Sequence, residues 1–174
     1  MDKAEDLLSF IRDVPDFPKE GIIFKDITPV LMNPEAFKFA IDSMAKPLLN
    51  EKIDLIVGVE ARGFITAAAL AYKLGAGLVL VRKPGKLPWE KEVATYELEY
   101  GTDTLEIHKD AISSEMNVVI ADDLVATGGT AKACIELIEK VEGKVHSLSF
   151  LIELAFLNPR ETLSDYPIHS VIRY

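Results

Sequence analysis

The segment Val118–Thr130 has the sequence VVIADDLVATGGT and is the strongest indicator of the fold. An apolar run typical of a buried strand ends in Asp122 and Asp123, and a helical pattern opens at the turn Thr127–Thr130. In open α/β sheets, ligands bind beyond the carboxyl ends of the strands, where this segment would lie. Carboxylates bind sugar hydroxyls, and a glycine-rich turn at a helix start presents N–H groups to a phosphate. The segment therefore predicts a ribose phosphate site, although TGGT alone fits an ordinary helix cap equally well.

Apolar and helical patterns alternate along the rest of the chain. Buried strands are predicted at Asp54–Val59, Leu78–Val81, Val118–Ala121, Val145–Leu154 and Ile168–Ile172. Helices are predicted at Ala4–Arg12, from Asn33-Pro34 onward, at Phe64–Leu74 with Gly75 as its cap, and at Lys132–Val141. This alternation predicts an α/β fold with a parallel-sheet core covered by helices on both faces.

The segment Ala94–His108 has a different pattern. Apolar and polar residues alternate on both sides of the turn Gly101-Thr102-Asp103, which predicts a two-stranded ribbon. The ribbon is inserted between the second and third predicted core strands and has little obvious packing role. Because long insertions are often functional, we predict that it is a lid.

Composition limits the functions that the chain can have. Its 174 residues, 49% of them hydrophobic, suit a single folded domain. The net charge of −9 argues against a nucleic-acid partner. No apolar run is long enough to span a bilayer, and the N-terminal segment lacks the pattern of a secretory signal, so no membrane partner is expected. The single cysteine, Cys134, is consistent with a cytoplasmic location.

Cationic residues follow two of the predicted strands. Arg62 comes just after Asp54–Val59, and Lys83 comes after the next strand, within a basic patch that includes Lys86. A surface ion pair between Glu60 and Arg62 is the alternative interpretation. Because the carboxyl ends of parallel strands meet at one rim, these cations are expected to lie beside the aspartates. The rim suits a ligand with two separated phosphate groups and a sugar between them.

Each group at the rim can be given a role in such a ligand site. Asp122 and Asp123 would accept from the ribose 2- and 3-hydroxyls, and Arg62, Lys83 and Lys86 would face a diphosphate. The 5-phosphate would lie on the segment that comprises Ala126, Thr127, Gly128, Gly129 and Thr130. Magnesium would be held mainly by the ligand, with direct ligation by the two aspartates as an alternative.

For other residues, the sequence gives weaker evidence of a role in binding or catalysis. The stretch GIIFKD (21–26) contains Phe24, which is either a core residue or a stacking platform for a base. His108, His146 and His169 have no metal-ligand spacing and are assigned no role. The chain also lacks a GxxxxGK[ST] loop and a GxGxxG fingerprint, which disfavours a nucleoside triphosphatase or a dinucleotide enzyme.

Several segments resemble the adenine phosphoribosyltransferases, a branch of the type I phosphoribosyltransferase family. They are DFPKEGIIFKDITPVL (16–31), VGVEARGF (57–64), VRKPGKLP (81–88), YELEYGTDTLEIHKDA (96–111) and VVIADDLVATGGT (118–130). The resemblance implies that adenine and 5-phosphoribosyl 1-pyrophosphate are converted to AMP and diphosphate in purine salvage. It also implies Mg²⁺, a homodimer, a base-binding hood over about 1–33 and a mobile lid over about 94–108.

The resemblance also implies roles for particular residues. Glu99 matches the proposed acid/base residue, with Arg62 and Lys83 as the other catalytic groups. Ile23, Phe24 and Lys25 match the region that recognises adenine. Many relatives have arginine where this chain has Lys25, and lysine cannot make the same two-pronged contact.

Three alternatives compete with this interpretation. A transferase for hypoxanthine, xanthine, guanine or orotate would keep the phosphate motif and change the hood and lid. A non-catalytic regulator that senses phosphoribosyl pyrophosphate would need a DNA-binding extension or a basic face, and neither is visible. A catalytically dead relative is disfavoured by the presence of Asp122, Asp123, Arg62 and Glu99.

Overall fold

The computed structural model describes residues 4–97 and 102–174. The helices are α1 (Ala4–Leu8), α2 (Thr28–Met32), α3 (Pro34–Ala45), α4 (Gly63–Leu74), α5 (Gly129–Lys140) and α6 (Pro159–Thr162). The strands are β1 (Arg12–Val14), β2 (Phe24–Asp26), β3 (Leu55–Val59), β4 (Gly77–Val81), β5 (Lys91–Glu97), β6 (Thr102–His108), β7 (Asn117–Val125), β8 (Lys144–Glu153) and β9 (Ile168–Arg173). Short 3₁₀ turns lie at Lys46–Leu48 and Ala155–Leu157.

The five core strands form one parallel sheet in the order β4-β3-β7-β8-β9. The chain runs outward from β3 to β4 and then returns to place β7 on the other side of β3. In such sheets the crevice for a ligand opens where the strand order reverses, here beyond the carboxyl ends of β3 and β7. The predicted parallel-sheet core is confirmed.

Both faces of the sheet are buried, as predicted. Alternate residues of β7 belong to different cores: Val118 and Ile120 pack with α5, whereas Val119 and Ala121 pack with α3 and α4. All of these side chains are fully buried, which explains why Val118–Ala121 is a continuous apolar run in sequence.

Several predicted boundaries are wrong for local reasons. The helix predicted at Ala4–Arg12 ends at Leu8, because Phe10 and Ile11 make tighter bonds to carbonyls three residues back and Arg12 enters β1. The strand predicted as buried at Leu78–Val81 is the edge strand β4, which buries Val79 and Val81 but exposes Leu78 and Leu80. The segments α2, β1 and β2 were not predicted.

The boundaries of the strand and the helix in Val118–Thr130 also differ from the prediction. Strand β7 does not end at Ala121 but continues to Val125, with Asp122 paired to Phe150 of β8. The two carboxylates therefore project from the last residues of a strand that is held by backbone hydrogen bonds. Helix α5 begins at Gly129 instead of Lys132, directly after Gly128 in the left-handed conformation.

The inserted ribbon is confirmed as an antiparallel pair, β5 and β6, but its base is part of the core. Ala94 pairs with Leu105, and both are buried with Ile107 in the cluster that contains α5. Arg82 bridges to Glu106, which joins β6 to the end of the edge strand. The expectation that this insertion has little packing role is therefore wrong for its base, while part of the predicted lid lies outside the described residues.

A buried ion cluster at the end of β8 leads to a stability prediction. Glu153 is fully buried, and its carboxylate lies 2.8 Å from Arg160, 2.7 Å from the Ser170 hydroxyl and 3.1 Å from Arg173. Chiefly because Arg160 donates hydrogen bonds, the pKa of Glu153 falls to about 2. The stabilisation is therefore complete above the unfolded-state value of 4.5 and is lost as the pH falls towards 2.

Replacing Glu153→Gln should lower the free energy of unfolding at pH 7 by about 2–3 kcal/mol, because the buried partner of two guanidinium groups is lost. Urea unfolding at pH 7 and pH 3 measures the effect, and the difference from the unmodified protein should shrink at the lower pH. The control is Glu161→Gln on the exposed surface of α6, which should change stability by less than about 0.5 kcal/mol. An equal loss at both pH values would contradict the assignment.

Candidate functional site

The carboxyl ends of β3, β4 and β7 surround a cavity of about 320 Å³. Five of the residues that the sequence analysis assigned to a ligand line it: Arg62, Lys83, Asp122, Asp123 and Thr130. The other lining residues are Val59, Glu60, Ala61, Tyr96, Asp103, Leu105 and Leu124. The rim predicted from three strand ends is therefore assembled at the point where the strand order reverses.

A second cavity, of about 190 Å³, lies against the start of α5. Its lining includes every residue from Leu124 to Ala131, and it shares Asp122, Leu124 and Thr130 with the first cavity. The first N–H groups of a helix have no acceptor within the helix, and the helix dipole favours an anion beside them. Gly128 has a φ of +91°, which a residue with a side chain rarely adopts. These features suit the turn at Ala126–Thr130, called the anion cup below, to an anionic ligand.

The paired carboxylates differ in their surroundings. Asp123 is only 4% exposed, and Arg62 Nε lies 3.0 Å from its Oδ2 atom. Asp122 Oδ1 accepts from the Asp123 N–H at 2.8 Å. Burial and the neighbouring Asp123 charge raise the pKa of Asp122 well above its ordinary value. A Cβ atom at Gly63 would lie 2.5 Å from Asp122 Oδ1, so the position of this carboxylate requires glycine at the start of α4.

Asp123 Oδ2 has unused capacity to accept a hydrogen bond. The atom is buried, and among residues 4–97 and 102–174 none donates to it with hydrogen-bond geometry, although Arg62 contributes charge nearby. A buried acceptor without a donor carries a cost in free energy that a hydroxyl donor from a ligand would remove. The site is therefore suited to a polyol such as a sugar.

Arg62 connects the carboxylates with the N-terminal ribbon. Its guanidinium carbon lies 4.7 Å from the centre of the Phe24 ring, within the range of a cation–π contact. Phe17 packs edge-on against Phe24, with 5.1 Å between the ring centres. An aromatic surface predicted to bind a base is thus placed next to the group that pairs with Asp123.

Glu60 organises the cationic side of the cavity. Its carboxylate accepts from Arg82 Nη2 at 3.1 Å, Arg82 Nε at 3.3 Å and the Lys83 N–H at 3.0 Å. The Arg82 and Lys83 bonds hold the pKa of Glu60 below its ordinary value. The surface pair between Glu60 and Arg62, considered as an alternative, is replaced by pairs of Glu60 with Arg82 and of Arg62 with Asp123.

Two residues of the inserted ribbon, Tyr96 and Asp103, also line the cavity, and neither was predicted as a site residue. Lys83 Nζ forms an ion pair with Asp103, and the Tyr96 hydroxyl donates to Asp103 Oδ2 at 3.2 Å. Thr130 Oγ1 donates to the Tyr96 hydroxyl at 3.3 Å. Tyr96 and Asp103 pair directly across β5 and β6. The period-two pattern put both on the ribbon, but it did not indicate which face meets Lys83.

Other predicted residues lie farther from the cavity lining. Ile23 is exposed, and Lys25 binds Asp13 at 2.7 Å and lies 3.9 Å from the centre of the Tyr174 ring. Lys86 does not line either cavity beside the strand ends, and its carbonyl accepts from Arg82. Glu99 lies outside the described residues.

The described part of the chain contains neither a metal-binding cluster nor a helix suited to a membrane. No cluster of three or more potential metal ligands is present among those residues, and the histidines take no part in one. Within the same ranges, no helix has the length and apolar character that a membrane crossing requires. A larger cavity of about 790 Å³, between α3 and strands β8 and β9, contains none of the predicted site residues.

Comparison with known proteins gives one consistent result. Residues 31–165 match the sequence model of the phosphoribosyl transferase domain. The adenine phosphoribosyltransferase of Thermotoga maritima is 56% identical over 169 residues, which are 97% of this chain and 98% of that protein. The corresponding crystal structure from Thermoanaerobacter pseudethanolicus is 55% identical, with a TM-score of 0.97 over 99% of this chain and 100% of the other.

The structure of the Saccharomyces cerevisiae adenine phosphoribosyltransferase was solved with an imino-altritol bisphosphate and adenine. It is 44% identical to this chain and has a TM-score of 0.91, with 97% of each chain covered. A bisphosphate and a free base therefore bind together in that relative.

Proposed function

The chain belongs to the adenine phosphoribosyltransferases of the phosphoribosyl transferase family, and from this we propose that it transfers the phosphoribosyl group of 5-phosphoribosyl 1-pyrophosphate to adenine. The products are AMP and diphosphate. The reaction replaces the C–O bond between ribose and diphosphate by a C–N bond to the base, as purine salvage requires.

One observation carries the proposal: an anion cup and a cation-lined cavity adjoin each other and share Asp122. The 5-phosphate fits the cup at Ala126–Thr130, and the diphosphate fits beside Arg62 and Lys83. The ribose between them would donate hydroxyl protons to Asp122 and Asp123. A hydroxyl at Asp123 Oδ2 would supply the donor that this buried atom lacks among the described residues.

The site can lower the barrier mainly by electrostatics. As the bond to diphosphate breaks, negative charge grows on the leaving group, and Arg62 and Lys83 are held in place to stabilise it. Fixed charges of this kind typically contribute several kcal/mol, on the order of 3–4 kcal/mol for each well-placed donor. We propose that the Glu99 carboxylate is the acid/base group that accepts the proton lost from the imidazole ring of adenine.

A magnesium ion fits this donor set. Two carboxylates stand beside the positions proposed for the diphosphate and the ribose hydroxyls, and Mg²⁺ usually binds through one or two carboxylates, waters and substrate phosphates. When bound, the ion would supply positive charge to the departing diphosphate. We expect substrate to hold most of its coordination sites, because Asp123 is already paired with Arg62.

We further propose that residues 1–33 form a hood that places adenine near Phe24, and that the ribbon at 94–108 covers the site during turnover. The contact between Phe24 and Arg62 supports the first assignment. A homodimer is supported by apolar side chains exposed on the sheet face that carries α4, at Ile65, Tyr72, Leu78 and Leu80. The single buried thiol of Cys134 fits our expectation of a cytoplasmic location.

A panel of bases tests the proposed function. The full chain is incubated with phosphoribosyl pyrophosphate, Mg²⁺ and one of adenine, hypoxanthine, xanthine, guanine or orotate, and each nucleotide product is quantified. We expect AMP to form and the other nucleotides to form far more slowly. Preferred formation of another nucleotide would reassign the substrate, and no product with any base would favour a sensing role.

A glycine pair tests the anion cup. Gly128→Ala should raise KM for phosphoribosyl pyrophosphate about tenfold, because a Cβ atom at φ +91° strains the turn and would lie 3.2 Å from Leu163. Gly75→Ala is the control, since Gly75, which follows the last residue of α4, also has a positive φ but has no atoms within 4 Å of an added Cβ. Steady-state kinetics should give an unchanged KM for the control. An equal rise of KM in both variants would refute the proposal that the turn at Ala126–Thr130 binds the 5-phosphate.

A further inference from the structure

Asp103 is placed unusually for a site that binds a diphosphate. It brings a negative charge into the cavity wall, where it pairs with Lys83, the residue assigned to the leaving group. Its Oδ1 atom accepts from the Thr104 N–H at 2.8 Å, and its Oδ2 atom accepts from Tyr96 at 3.2 Å. These bonds fix the carboxylate against the Lys83 ammonium.

Two anions, the Asp103 carboxylate and a bound diphosphate, would compete for the Lys83 ammonium. The Lys83 backbone is fixed by Glu60, so the side chain extends from a held position towards Asp103. A diphosphate at Arg62 and Lys83 would need the same ammonium, and its charge would be repelled by the nearby carboxylate. Like charges placed together at a binding site cost affinity, so the carboxylate acts against diphosphate binding.

We propose that Asp103 lowers the affinity of the site, because it competes with the diphosphate for Lys83 and so limits how tightly substrate and product are held. This inference rests on the proposed function. It predicts a gain of binding on mutation, which is the opposite of what a residue that merely orients Lys83 would give.

The partial exposure of this pair sets the size of the effect. The side chains of Lys83 and Asp103 are 41% and 25% exposed, so solvent weakens their attraction. We therefore expect Asp103→Asn to bind inorganic diphosphate with Mg²⁺ roughly three- to tenfold more tightly. Asparagine keeps the shape of the side chain and an oxygen that can accept from Thr104.

The same ribbon provides a matched control. Glu92 pairs with Lys109 at 3.3 Å, with exposures of 35% and 50%, and it does not line either cavity beside the strand ends. Glu92→Gln makes the same change in net charge as Asp103→Asn. Its affinity for diphosphate should stay within about twofold of the unmodified protein, because distant exposed charges are screened.

Isothermal titration calorimetry with diphosphate and Mg²⁺ measures these affinities, and thermal unfolding confirms that each variant is folded. The gain should shrink when Asp103→Asn is made in a Lys83→Met background and compared with Lys83→Met alone, because only the relief of like-charge repulsion would remain. Unchanged or weaker binding by Asp103→Asn, or the same gain in Glu92→Gln, would overturn the inference. AMP formation by the unmodified protein is measured in parallel, so a failure of the proposed function is recognised separately.

Discussion

Replacing Asp122 and Asp123 together by asparagine should reduce kcat/KM for AMP formation about a thousandfold. Each carboxylate is proposed to accept a hydrogen bond from a ribose hydroxyl, and a hydrogen bond to a charged group contributes about 1.5–3 kcal/mol. Losing both would cost about 3–6 kcal/mol of binding in the transition state, which corresponds to a factor of roughly 10²–10⁴. Arg62 would also lose the carboxylate that lies 3.0 Å from its Nε atom.

Stability measurements separate this loss of activity from unfolding. Because burial and Asp123 raise the pKa of Asp122, ionised Asp122 destabilises the folded protein, and this cost grows as the pH rises above 3.8. Asp122→Asn alone should therefore keep or raise the melting temperature at pH 7 while it lowers activity. Near-normal turnover in the double variant would refute the ribose assignment.

Replacing Glu99→Leu should slow the chemical step about 10²- to 10⁴-fold, the usual contribution of a positioned acid/base group. AMP binding should change little, since the contacts proposed for the phosphate and the ribose are made by other residues. Glu99 lies outside the described residues, but the strands on either side of it bring Tyr96 and Asp103 to the cavity wall. Single-turnover rapid-quench kinetics measures the chemical step, and equilibrium titration with AMP measures binding.

The matched control for Glu99 is Glu92→Leu on β5. It removes another carboxylate from the same ribbon, at a position that pairs with Ile107 and does not line the cavity. Its single-turnover rate should remain within about threefold of the unmodified protein. An unchanged rate in Glu99→Leu would remove this residue from the mechanism, and equal losses in both variants would indicate general damage to the ribbon.

The strands of the sheet could be predicted because each one is marked by a run of apolar residues within its own segment of sequence. The four residues Val118–Ala121 of β7 are buried alternately on the two faces of the sheet, so all four are apolar. Gly128 and the helical pattern after it indicated the cup in the same way. Short elements were missed because three residues, as in β1 and β2, are too few to establish a period.

The contacts between distant segments could not be predicted in this way. Arg62 and Asp123 come from different strand ends, and the sequence alone fits equally well a pair between Arg62 and Glu60. The choice depends on sheet order and on the space that Gly63 leaves for Asp122. The pair between Lys83 and Asp103 depends likewise on the register of β5 and β6 and on the bridge between Arg82 and Glu106.

We propose that the turn after the two aspartates binds the 5-phosphate while those aspartates bind the ribose. A crystal structure of the full chain with AMP tests it most directly. We expect the phosphate within hydrogen-bond distance of N–H groups in Ala126–Thr130, with ribose hydroxyls on Asp122 and Asp123. Nucleotide bound elsewhere, for example in the larger cavity between α3 and β8, with no phosphate at that turn, would contradict it.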